Sequence, residues 1–120
     1  MIFYLPFHNR IPKKVVNKMG MSPGIYTAAV FTCPEGFEVP EGDIYLGDDA
    51  YETIFAGNDQ GIPLEGHETF ATYIWITYGW EGTVNLIELA SKVHSFSNQA
   101  AKYAADNSLI FRIAIGATYW

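Results

Sequence analysis

Three histidines, one cysteine and a run of acids are the side chains of this 120-residue chain with the clearest chemical potential. His67 opens His67-Glu68-Thr69-Phe70-Ala71. That pentapeptide lacks the second histidine with which a zinc-protease helix closes on its metal. His94 stands at the flank of an apolar stripe, where a half-buried structural imidazole is expected. His8 lies among Pro6, Phe7 and Asn9 at the end of an apolar run, and such ends often line clefts. Cys33 is the sole cysteine, which excludes an intramolecular disulfide framework and a cysteine-based zinc site. With no base spaced to activate its thiol, it reads as a packed strand residue. Asp43, Asp48, Asp49 and Glu52 offer clustered oxygens of the kind hard cations take, but not at the spacing of the calcium-binding loop. They read as a solvated acidic surface, and no metal is expected. No glycine-rich phosphate cradle exists, and no G-x-S-x-G elbow presents Ser91, Ser95 or Ser97. No cofactor is expected.

One enzymatic alternative has residues behind it. His8 and Asp43-Ile44-Tyr45-Leu46-Gly47-Asp48-Asp49 resemble the early histidine and the later glycine-and-tyrosine strand of small ADP-ribosyltransferases. The resemblance implies NAD as substrate, with His8 and Tyr45 at a site near the loop 57–66. Asn9 and Arg10 follow the histidine where that family has a glycine and a small hydroxyl residue. Glu81 and Glu88 are present, but neither is placed as that family's catalytic acid.

The elements that would position any site are clearest in the last third. Leu86, Leu89, Ala90, Val93, Phe96, Ala100, Tyr103 and Ala104 recur every three or four residues, which predicts a helix over Thr83–Asp106. Thr83 is the expected N-cap, and Asn107 the residue that ends the helix in a left-handed conformation. From Leu109 to Trp120 the period drops to two, which predicts a strand. Leu109, Phe111, Ile113, Ile115, Ala117 and Tyr119 form the face expected to bury against the helix. The turn at Asn107-Ser108 is too short for a parallel crossover, so the strand is expected to run antiparallel to the helix.

Upstream, Ile2–Leu5 reads as a short strand stopped by Pro6. Pro12–Met19 reads as a short helix with proline in its first turn and Gly20 after its end. Gly24–Cys33 and Glu68–Tyr78 read as strands, the second apolar on both sides, and Asp43–Leu46 as a short one. Ala50–Phe55 fits either a strand or a helical turn. Gly57–Gly66 reads as a loop, the segment expected to be most mobile. The fold expected is one α+β domain over residues 1–120. It has a mainly antiparallel sheet of four to five strands, the long helix on one face and the short N-terminal helix.

Charge is segregated within a net −6. Arg10, Lys13, Lys14 and Lys18 are four of the seven bases, whereas ten acids and no base lie between Glu35 and Glu68. Nucleic acid is a poor match as main partner, because tracking phosphates needs a broad basic face. No apolar run approaches the ~20 residues of a membrane span. The N-terminus lacks the basic region of a signal peptide, so a cytoplasmic protein or a component of an assembled particle is expected. Tyr73, Trp75, Trp80, Tyr119 and Trp120 form the candidate binding set, since aromatic side chains desolvate large area at low entropic cost. Absent motifs and surplus rings point away from an enzyme. They point toward a protein-binding module: an assembly subunit, a homo-oligomer, or a small acidic inhibitor.

Overall fold

The computed structural model describes residues 23–78 and 83–119, the side chains of Tyr78 and Tyr119 excepted. The elements run β1 (Pro23–Thr32), β2 (Ile44–Leu46), β3 (Asp49–Tyr51), β4 (Phe70–Tyr78), α1 (Leu86–Asn107) and β5 (Ile110–Tyr119). The architecture is α+β. β4, β1 and β5 make a three-stranded antiparallel sheet in that order, and β2 and β3 pair as a separate hairpin. The main sheet therefore has fewer strands than the four to five expected. The short stretch after Asp43 pairs locally with β3 instead of joining it. The expected N-terminal strand and helix, residues 2–5 and 12–19, lie outside the described residues.

β1 is the centre of the sheet and antiparallel to both neighbours, from Phe31↔Phe70 to Gly24↔Tyr78 on one side and from Thr32↔Ile110 to Pro23↔Tyr119 on the other. β4 and β5 are consequently parallel to each other, with α1 between them in sequence. The helix itself is the crossover, which corrects the expectation based on the short turn alone. It runs back from the end of the sheet holding Pro23 and Tyr119 to the end holding Thr32 and Ile110. β5 does oppose it, as expected.

The helix starts two to three residues later than the periodicity predicts. Asn85, not Thr83, is the N-cap: its side chain accepts from the amides of Ile87 (3.0 Å) and Glu88 (3.1 Å), two donors with no partner inside the helix. At the other end Ser108, not Asn107, takes the left-handed conformation (φ 58°). Its neighbour Leu109 then donates to the Ala104 carbonyl at 2.8 Å.

Each face of the sheet carries apolar packing. On the helix side, Ala29, Phe31, Phe70 and Ile74 meet Ile44 and Leu46 from the hairpin and Phe96, Ala100 and Ala104 from the helix. Phe31 is fully buried and its ring lies 5.0 Å from Phe70 and 5.4 Å from Tyr103. Ala100 and Ala104 let the helix come close here. The other side is covered by the long loop after β3. Ile54 exchanges two 2.9 Å backbone hydrogen bonds with Ala71, and Ile62 packs beside Tyr26, Ala28 and Val30. The loop 57–66 is fastened at its centre. The Asn58 amide donates to the carbonyls of Phe55 (2.9 Å) and Ile62 (2.8 Å), and its oxygen accepts from the Ile62 amide (3.1 Å).

Glu68 pins this loop to β5. Its carboxylate accepts from Arg112 Nε on one oxygen, and from Arg112 Nη2 (3.0 Å) and the Glu65 amide (2.7 Å) on the other. The bond from Arg112 holds the carboxyl below its usual range. A carboxyl lowered by folding contributes stability above its unfolded value, and that contribution is lost as pH falls through the folded one. Arg112 is substantially exposed, so the effect is modest and screened by salt. Thermal melts from neutral pH down into the acid range should show Glu68→Gln losing part of the wild-type decline in Tm. Parallel curves would contradict this role.

Candidate interaction surface

The expected binding aromatics divide. Tyr73 and Trp75 project from β4 onto the face opposite α1, half-buried and in edge-to-face contact at 5.5 Å. Trp75 also meets Tyr26 edge-on at 6.4 Å. Glycine makes this arrangement possible. A β-carbon at Gly24 would stand 2.6 Å from the Trp75 ring, and one at Gly116 would stand 2.6 Å from the Tyr26 hydroxyl. Burial pushes the Tyr73 and Tyr26 phenols up, Tyr73 further through the Glu52 carboxylate. Trp80, Trp120 and the Tyr119 side chain lie outside what the structure describes.

The residues of the enzymatic alternative are equally divided. Tyr45 projects from β2 into solvent, 67% exposed, while His8 is outside the described residues. His67 and His94 are exposed, and His94 Nε2 lies 3.0 Å from the Asn98 amide. Cys33 is partly buried against the helix-side core. Among the described residues, no three histidine, cysteine, aspartate or glutamate side chains converge as a metal site would require.

Among the described residues, the most exposed apolar surface lies elsewhere, at the N-terminal half of α1. The helix is drawn onto the sheet by Phe96, Ala100 and Ala104 in its C-terminal half. Toward its start, a cleft of about 550 Å³ separates the two. Leu86, Leu89, Ala90 and Val93 line it on the helix side, and Thr27, Ile76, Ile113 and Ile115 on the sheet side. The expectation that Ile113 and Ile115 would be buried under the helix is corrected here. Leu109 and Phe111 pack as foreseen, but Ile115 stays 73% exposed. Across the cleft Leu86 is 75% exposed, and beside it Ile87 is 83% exposed. A smaller recess beside it is bordered by Trp75, Ile76, Val84 and Leu89.

Physically this is a surface for desolvation. Contiguous exposed apolar patches of this kind are uncommon on monomers. The cleft's one prominent polar wall, the Thr27 hydroxyl, is already committed to the Ala114 carbonyl at 3.1 Å. Spacing identified Leu86, Leu89, Ala90, Val93, Ile113 and Ile115 as apolar. It assigned them to the interior because the helix stripe and the strand face match in sequence length. Set against protein-family models, curated proteins and solved structures, the chain matches none.

Proposed function

We propose that the chain is a non-enzymatic protein-binding module, acting as an assembly subunit or as a small acidic inhibitor. The observation that carries this reading is the open apolar cleft between the start of α1 and β5, with Leu86 and Ile115 on its two walls. Leaving isoleucine and leucine in water forgoes about 1.5–3 kcal/mol for each side chain that could be buried, and a partner recovers that energy. Tyr73 and Trp75, half-buried on the opposite face of the sheet, offer a separate aromatic surface. The acidic loops between Glu35 and Glu68 steer the approach of a basic partner surface more than they add affinity.

Retention provides the test. Immobilised wild-type chain and the Leu86→Glu/Ile87→Glu double variant are challenged with purified chain and with any purified, identified partner. Retention by the wild type and its loss in the variant support the reading. Equal behaviour of the two would count against it.

A further inference from the structure

The two outer strands of the sheet end differently. β4 is closed along part of its outer edge by Ile54, which exchanges both hydrogen bonds with Ala71, and Thr72 donates to the Glu52 carbonyl at 3.0 Å. β5 has no strand on its outer side among the described residues. It is ten residues long and contains no proline and one charged residue, Arg112. Its pairing with β1 runs without a register shift. Proteins ordinarily blunt such an edge with charge, proline, a bulge or a cover, and among the described residues Arg112 is the one such device on this strand. The neighbouring surface is also apolar, and the two features need the same occupant.

We propose that the occupant is a second copy of this chain, joined β5 to β5 in antiparallel fashion about a two-fold axis at Ala114. This inference rests on the protein-binding reading and names the partner. An antiparallel contact of a strand with itself is self-complementary, as a two-fold interface requires. With Ala114 opposite Ala114 of the second copy, Ile113 of each chain meets Ile115 of the other, β-branched pairs suited to this position. Arg112 falls opposite Gly116 of the second copy, so the two guanidinium groups do not confront each other. The result is one six-stranded sheet with both helices on the same face. The two clefts, each lined by Ile113 and Ile115, then flank the seam. Leu86, Ile87, Ile113 and Ile115 together expose on the order of 500 Å² per copy, so two copies offer at most roughly 1,000 Å², the lower bound for a specific interface.

Cross-linking tests this in full-length protein carrying Cys33→Ala. Opposed Cα atoms in an antiparallel pair lie about 4.5–5.5 Å apart, within the span of a disulfide. Ala114→Cys should therefore form a covalent dimer under mild oxidation, whereas Ile110→Cys, far from the axis, should not. Ile115→Lys should weaken self-association at least ~100-fold by burying two unpaired charges, with Tm little changed. Cross-linking of both cysteine variants alike, or neither, overturns the inference. An oligomer that persists in Ile115→Lys also overturns it; if Leu86→Glu/Ile87→Glu dissolves that oligomer, the binding reading survives. A single-copy mass for the wild type, together with a lowered Tm for Ile115→Lys, would mean that the cleft is covered within one chain, and would equally overturn it.

Discussion

Phe31→Ala is expected to remove about 3–5 kcal/mol of stability, the cost of deleting a buried phenylalanine from a packed core. Typical domains hold only about 5–15 kcal/mol in total, so the variant should be marginal or unfolded at physiological temperature. The ring has no exposure and sits on the central strand, near the end of the sheet where Phe31 pairs with Phe70 and Phe111. It stacks 5.0 Å from Phe70 and 6.2 Å from Phe111, and meets Tyr103 of the helix edge-on at 5.4 Å. Removing it opens a void beneath β4, β5 and α1 at once, and rigid strands on both sides limit collapse. Denaturant titration with a shared slope reads the loss. A loss under ~1 kcal/mol would show that the helix-side core is not centred on Phe31.

Leu86→Glu with Ile87→Glu is expected to separate binding from folding. Both side chains are largely in water, so the folded chain loses little burial. They also occupy the first turn of α1, immediately after the Asn85 cap. Carboxylates there meet the positive end of the helix and contribute about 0.3–1 kcal/mol each at low salt, and glutamate is a good helix former. Tm should therefore hold or rise slightly. Association should fall at least ~100-fold, since two apolar anchors are lost and two charges must be desolvated. Loss of stability in parallel with loss of binding would mean that these residues are covered within the chain.

What the sequence made legible follows from periodicity. The alternation in β5 and the 3.6-residue stripe in α1 fixed both elements to within a few residues, because a wrong period would expose half of each apolar face. Caps were less legible. Thr83 and Asn85 are both competent, and the choice depends on where the backbone leaves β4. The lifted start of α1 was not legible at all. A stripe states which side of a helix is apolar, whereas how far that side reaches the sheet depends on crossing geometry, and the small Ala100 and Ala104 anchor one half only. The crossover was misread for a related reason: the two-residue turn at Asn107-Ser108 was treated as the whole connection, when the helix is its main part. The aromatic set was half legible. Tyr73 and Trp75 pack over Tyr26 and Gly24, and no rule of composition anticipates a glycine that gives a ring room to lie flat.

Protein binding and the β5-to-β5 dimer both require the apolar surface at the start of α1 and along β5 to be covered by another protein molecule. Light scattering of the purified full-length chain, over a wide concentration range and beside the Leu86→Glu/Ile87→Glu variant, tests that directly. The expected result is a mass of two or more copies for the wild type and of one for the variant. A single-copy mass for both at every concentration, with equal stability and no retained partner, would contradict it.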